Sequence, residues 1–389
     1  MRSYYCSNKF KFLKIDLERQ MTYNCHAATP HRIDFHWLTS NPGNIFNTPT
    51  NIAERELMLD NQRNASCENN CWPAEDRGQV SIRQLEFGEE VTHTTVHTNP
   101  EILDLTLDSE CNLACVYCCK EYSSSWRRDI QENGDYTFDS NSEDLKNRYR
   151  IDQKDVILSA LSQQGKRSSQ RYQQLLTEID LLMPGLKQLV ITGGEPLLST
   201  QLTALLNKAA SVPNIKLFTG LGVSTARLNK VLDLLPSTNN IVFTVSAEST
   251  GKNYEFVRAG NSYDNFIKNL SVLKQRNIKF QFHSTISNLN LHGFVDFYNL
   301  NKDSNIKIGF AYTPDFLAPH VLDPESKHSI SEQLGLLNSN IADQIATSLS
   351  SDATDTQRKN LGNMLTQFSQ RQKLTLDIFP QHFLDWIYS

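Results

Sequence analysis

Glu110-Cys111-Asn112-Leu113-Ala114-Cys115-Val116-Tyr117-Cys118-Cys119 follows directly on the apolar alternation Ile102-Leu103-Asp104-Leu105-Thr106-Leu107. Alternation with period two reads as a strand, so three thiols at intervals of four and three residues stand where a strand gives way to a loop. Thiolates are soft donors that select iron–sulfur clusters, zinc or copper(I). Three on one short loop can hold three corners of a four-iron cluster and leave its fourth iron open to a substrate or cofactor. The same spacing also falls on one helix face, where Cys111, Cys115 and Cys118 would be small apolar core residues. A structural zinc site needs four ligands, commonly two separate pairs, and Cys119, adjacent to Cys118, is poorly placed to be the fourth.

A second motif sharpens the choice. Leu189-Val190-Ile191-Thr192 is a short buried-strand run that delivers Gly193-Gly194-Glu195-Pro196. Two glycines at a strand end allow backbone to approach a ligand closely, and Glu195 adds a carboxylate able to accept from an ammonium group. Taken alone, Gly-Gly-Glu-Pro also reads as a turn.

The C-x3-C-x2-C pattern with Tyr117 before its last cysteine, followed by Gly193-Gly194-Glu195-Pro196, resembles the radical S-adenosylmethionine (radical SAM) superfamily. The resemblance spans Glu101 to about Phe310. It implies a four-iron–four-sulfur (4Fe-4S) cluster on Cys111, Cys115 and Cys118, whose open iron takes the amino and carboxylate groups of SAM. It further implies that Gly193, Gly194, Glu195 and Pro196 hold the methionine amino group and that Tyr117 lies near adenine. Ser246 and Glu248, at the end of Val242-Phe243-Thr244-Val245-Ser246-Ala247-Glu248, would reach the ribose or carboxylate, and Arg258 would face the carboxylate; solvated or structural roles compete for these three. The implied reaction is reductive cleavage of SAM to a 5′-deoxyadenosyl radical that abstracts a substrate hydrogen. An electron donor such as flavodoxin or ferredoxin would be a partner.

Composition sets the remaining bounds. With 389 residues, the chain has room for two or three domains. A net charge of −5 with mixed signs gives no basic footprint for nucleic acid, and no apolar run approaches the ~18 residues of a membrane span. The expected compartment is the cytoplasm. All eight cysteines fall within the first 119 residues; in a reducing compartment this points to metal or catalysis rather than disulfides.

Four of them, Cys6, Cys25, Cys67 and Cys71, form the upstream set. Phe10–Ile15 and Met21–Asn24 read as a β-hairpin whose strands bring Cys6 and Cys25 to one open end, and Asn51–Asn64 reads as a helix leading to Cys67-x3-Cys71-Trp72. A hairpin and helix bearing four cysteines are similar to the twitch and SPASM modules of radical SAM enzymes, which implies an auxiliary 4Fe-4S cluster; a zinc knot would use the same thiolates. Those modules usually follow the barrel, whereas these cysteines precede it. Their bearers mostly modify ribosomal peptides, which implies a peptide or protein substrate, with small-molecule dehydrogenation as the alternative. A scaffold stapled by zinc and lacking catalysis is the reading from another class.

From Glu101 onward, strand-like and helix-like segments alternate, the pattern of βα units with a parallel sheet. The expected fold is α/β: a partial (β/α)6 parallel barrel over residues 85–315, a cysteine-bearing hairpin and helix module over 1–84, and a helical extension over 316–389. The polar run 120–155 reads as a solvated insertion or lid, 155–164 and 170–183 as helices, and the run 75–83 as a linker. His283 reads as a packing residue, Trp386 as the anchor of the tail, and Cys119 either as a buried small residue or as a hydrogen-atom donor beside the radical source.

Overall fold

In a computed structural model, residues 4–68, 71–76, 78, 81–86, 94–97, 99–140, 142–151, 169–236 and 240–389 are described. The expected helix 155–164 lies outside them. Eleven strands are present among these residues: β1 (Phe12–Asp16), β2 (Met21–Tyr23), β3 (His31–Arg32), β4 (Ile102–Thr106), β5 (Ala114–Cys115), β6 (Gln188–Thr192), β7 (Asn214–Thr219), β8 (Asn240–Ser246), β9 (Arg258–Ala259), β10 (Lys279–Ile286) and β11 (Ile306–Phe310).

Nine of the strands form one sheet in the order β11-β10-β8-β7-β6-β4-β1-β2-β3. Every pairing from β11 through to β1 is parallel, and helices connect the strands from β6 onward. The six expected parallel strands are present, and a seventh joins them. Strand β1 of the upstream hairpin pairs in parallel with β4, Phe12 opposite Ile102 and Asp16 opposite Thr106. The hairpin is therefore the edge of the barrel sheet rather than a separate layer.

Alternation fixes the faces. Leu13, Ile15, Leu103, Leu105, Leu189, Ile191, Ile215, Leu217, Phe243, Val245, Phe282 and Ile286 are all fully buried, in one core with helix residues such as Leu175, Ile179, Leu228 and Phe266. The other face carries Lys14, Asp104, Thr192, Lys216, Thr244, Gln281, His283 and Lys307. It is laced by polar contacts: Lys14 Nζ lies 3.7 Å from Asp104 Oδ2, Thr192 donates to Asp104 at 2.9 Å, and Gln281 donates to Thr244 at 3.1 Å. His26, packed edge-on to Phe12 of β1, also acts electrostatically on His283 of β10. Five strand spacings would hold β1 and β10 roughly 24 Å apart in a flat sheet. The sheet curls, with this polar face inward.

Among the described residues of the run 120–155, those of 120–140 and 142–151 do not form the expected solvated excursion. Helices Ser124–Asn133 and Glu143–Tyr149 occupy much of that stretch, and Trp126, Ile130, Tyr136, Leu145 and Tyr149 belong to the main core. The apolar residues are sparse but spaced four apart, so each short helix buries one narrow stripe. Helices Pro324–Gln333, Ser339–Leu349, Asp355–Gln372 and Gln381–Tyr388 complete the chain.

Candidate functional site

The cysteine loop begins where β4 ends and is pinned along its length. Ser109 N–H donates to Glu18 Oε2 at 2.7 Å, and Cys111 N–H to Ser124 Oγ at 3.0 Å. The Cys111 carbonyl accepts from Ser124 and Ser125, and that of Leu113 from Ser123 at 2.6 Å. Trp126 Nε1 donates to the Cys115 carbonyl at 2.9 Å. Serines at the start of the following helix thus hold the loop's carbonyls, a role that the polar composition of the run 120–155 does not distinguish from solvated surface.

Cys111 and Cys115 are buried and Cys118 is partly exposed, packed with Leu113 and Tyr117. Burial pushes the Cys111 thiol up, and Cys115 and Glu195 add to the rise. Burial likewise raises Cys118, with Cys115 and Cys111 contributing, and raises Cys115 to about 11 against the opposing pull of Arg258. Three neighbouring thiols in a low-dielectric pocket resist ionising unless a cation compensates them. That donor set fits an iron–sulfur cluster bound through three thiolates. Cys119 is buried beside Cys118, and burial raises its thiol too. Among the described residues, no three His, Cys, Asp or Glu side chains are drawn around a point that would hold a single metal ion.

Gly193 and Gly194 serve the loop more than open space. A Cβ on Gly194 would sit 2.5 Å from the Glu110 carbonyl oxygen, and one on Gly193, at φ +148°, 2.8 Å from that of Asp108. Gly194 N–H donates to Asp108 O and Glu195 N–H to Glu110 O, both at 2.8 Å. The motif therefore clamps the segment leading into Cys111, and Pro196 continues it into a turn closed by Ser199. Glu195 is buried, and its carboxylate accepts from Thr219 Oγ1 at 2.8 Å, Leu197 N–H at 3.2 Å and Gly220 N–H at 2.8 Å. Of about four lone-pair sites on a carboxylate, three are used.

Glu248 and Arg258 point at each other. Arg258 Nη2 lies 2.7 Å from Glu248 Oε2 with both side chains buried, Tyr117 donates its hydroxyl to Glu248 Oε1 at 2.7 Å, and the guanidinium lies 5.6 Å from the Tyr117 ring centroid. Ser246 stands apart on β8, level with His283 of β10. His283 packs edge-on against Phe218, and burial lowers its pKa. Sequence reading missed Gly260, at φ +101°, where a Cβ would lie 2.4 Å from the Asn112 carbonyl; a lone glycine after Arg258 gives no such warning.

The upstream cysteines gather at the opposite end of the sheet. Cys6 precedes β1 and Cys25 follows the antiparallel β2, so both lie where β4 begins, while Cys111 lies beyond the point where β4 finishes. About 17 Å of strand separates the two ends. All four upstream thiols are buried. Burial raises Cys6 to about 12, with Cys25 and Cys67 adding to the rise, and raises Cys67 to about 11, with Cys71 and Cys25 adding. Burial raises Cys71 too, with Cys25 adding to the rise, so this is a donor set of four buried thiols that could hold a metal centre. Beneath them Lys9, itself buried, bonds Glu54 at 2.8 Å, Ser66 at 2.6 Å and Asn24. Arg83 forks onto Glu75 at 2.6 and 2.7 Å and lies over Trp72, so the ends of the expected linker 75–83 fold back against the upstream set.

No curated protein matches this sequence. Solved structures resembling it include "Native anSMEcpe with bound AdoMet", at 11% identity, TM-score 0.31, covering 54% of this chain and 51% of that one. A second, "Native anSMEcpe with bound AdoMet and Kp18Cys peptide", shares 12% identity, TM-score 0.33, with the same coverage. The chain spans about half the length of these structures. No helix among the described residues is long and apolar enough to cross a membrane. The family description "Radical SAM superfamily" matches residues 105–300, half of the chain, from inside β4 through the cysteine loop and the glycine clamp to the helix after β10, and the protein belongs to that superfamily.

Proposed function

We propose that this protein reductively cleaves SAM and uses the radical to abstract hydrogen from a peptide or protein substrate. The observation that carries the SAM chemistry is the set of three neighbouring thiols on one pinned loop, two of them buried and the third partly so. When bound, the cluster supplies an electron to the SAM sulfonium, yielding methionine and a 5′-deoxyadenosyl radical. The chain's own part is positional. Cys111, Cys115 and Cys118 hold the cluster, Gly193 and Gly194 hold the loop, and the remaining acceptor site of Glu195 is available to the methionine ammonium. Pro196 shapes that turn, and Tyr117 and Ser246 border the space for adenosine. Lys14, Asp104, Thr192 and Gln281 offer the substrate a polar lining that favours groups able to hydrogen-bond.

Cys6, Cys25, Cys67 and Cys71 would hold a second 4Fe-4S centre in a twitch- or SPASM-like role, with zinc as the competing occupant. The position of these thiols at the opposite end of the sheet from the cysteine loop supports a second reading, oxidation of a small molecule, in which a centre there would serve as an electron acceptor. A flavodoxin- or ferredoxin-class protein would be the reductant. Cys119 is offered as a hydrogen-atom donor; Cys119→Ala should then change deuterium incorporation into substrate or product, and unchanged incorporation removes the idea.

Anaerobic reconstitution tests the whole reading. About eight irons and eight sulfides per chain, with dithionite-dependent release of 5′-deoxyadenosine, is the expected result. Stoichiometric zinc without SAM cleavage would instead identify a stapled scaffold. Cys6→Ala/Cys67→Ala should lower iron to about four per chain while leaving the SAM-responsive spectrum in place.

A further inference from the structure

Arg258 and Glu248, which the family resemblance offered to SAM, are committed to each other and to a cluster ligand. Cys115 and Arg258 are cross-strand partners in the two-stranded sheet β5–β9, and Val116 N–H donates to the Val257 carbonyl at 2.9 Å beside them. Gly260 then presses the chain against Asn112, so backbone pairing holds Arg258 beside Cys115. Its Nη1 points at Cys115 Sγ, 3.8 Å away, while Nη2 is taken by Glu248. Nε is buried and has no hydrogen-bond partner among the described residues. The fork is 5% exposed and the glutamate fully buried, so water screens neither charge.

We propose that Arg258 sets the reduction potential of the cluster held by Cys111, Cys115 and Cys118, with Glu248 limiting how much positive charge the cluster feels. This rests on the SAM-cluster reading above. Reduction adds one electron to the cluster and takes up no proton, so the reduced form carries one more negative charge. Hydrogen bonds to ligand sulfur and nearby charge are the levers by which a protein moves such potentials. The Nη1 donor favours the reduced form; Glu248 opposes it by neutralising the guanidinium. Arg258 is thus a positioning residue acting through Cys115 rather than a carboxylate ligand of SAM.

The test is redox titration of the reconstituted full-length protein without SAM, following by electron paramagnetic resonance the reduced signal that SAM later perturbs. Glu248→Gln keeps the donor and removes the counter-charge; it should raise the equilibrium constant for reduction at least tenfold, +59 mV for a one-electron couple. Glu248→Gln/Arg258→Met removes donor and cation together without stranding a buried charge, and should lower the potential below wild type by a similar factor. If the double variant fails to take up a cluster, Arg258→Lys, which keeps the cation but withdraws Nη1, should also lie below wild type. Opposite shifts support the assignment. No shift, or shifts in one direction, overturns it while leaving SAM cleavage intact. A wild-type protein that forms no SAM-responsive cluster instead overturns the function proposed above. An arginine that bound the SAM carboxylate would change SAM affinity and leave the SAM-free potential where it was.

Discussion

At the scale of single residues, the glycine motif shows that close approach can be read from sequence without its partner. Two glycines after β6 mean close approach, and the backbone of Asp108 and Glu110 makes one such approach. Sequence spacing shows that room is needed and cannot show what fills it. Backbone cannot step aside as a flexible side chain can, so we expect Gly194→Ala to cost about 1–3 kcal/mol by overpacking. Its effect should also reach the cysteine loop, lowering iron uptake on reconstitution. Gly335, with nothing within 4 Å of an added Cβ, is the control: Gly335→Ala should change the urea midpoint by no more than about 0.5 kcal/mol equivalent. Equal stability of the two variants would mean the clamp does not exist. Glu248 is legible as a charged residue at a strand end, and Arg258 is singled out by the family resemblance. That they satisfy each other depends on β9 pairing with β5, a contact between segments far apart in sequence.

The elements themselves were largely readable. Strands β4, β6, β7, β8, β10 and β11 are short apolar runs bounded by turn residues, and their helices carry ordinary amphipathic spacing. The helix Ser124–Asn133 was not readable, because eight of its ten residues are polar or charged and its two apolar residues, Trp126 and Ile130, are buried beside the buried Asp129. Trp126 nevertheless ties three layers together. Its indole N–H holds the Cys115 carbonyl, and its ring stacks at 5.5 Å on Phe368 of the helix Asp355–Gln372. Arg371 of the same helix donates to the Gly134 carbonyl at 2.8 Å. The C-terminal helices therefore buttress the cysteine loop through one aromatic stack. We expect Phe368→Ala to destabilise the fold by about 3–5 kcal/mol. In the cluster-free protein it should also speed the reaction of the Cys111, Cys115 and Cys118 thiols with a water-soluble disulfide reagent at native pH. A loss of stability with unchanged thiol reactivity would show that the buttress ends at the helix.

For the molecule as a whole, what the sequence could not disclose was which distant pieces share a surface. The hairpin was legible from local alternation, yet its parallel pairing with β4 spans the entire upstream region, and nothing local specifies that register. The C-terminal helices pose the same question, and pH offers a way to ask it. His292, on the helix Leu291–Leu300, lies 5.6 Å from the Phe383 ring of the last helix, and its buried Nε2 has no hydrogen-bond partner among the described residues. Burial lowers its pKa to about 4, with His382 adding to the fall and Asp323 opposing it. Facing the same space are Asp323, Glu325 and Ser326 of the neighbouring helix, all in contact with His382. An unfolded histidine titrates near 6.5, so between pH 6.5 and 4 the unfolded chain binds a proton that the folded chain refuses. Folding stability must then fall as pH drops through that window, by roughly 2–3 kcal/mol if the whole shift is expressed. Replacing the ring by one that cannot charge should remove this slope, so the urea midpoint of His292→Phe should depend less on pH than that of wild type between 6.5 and 4. Parallel pH profiles for the two proteins would mean that the last helix does not cover His292 in solution.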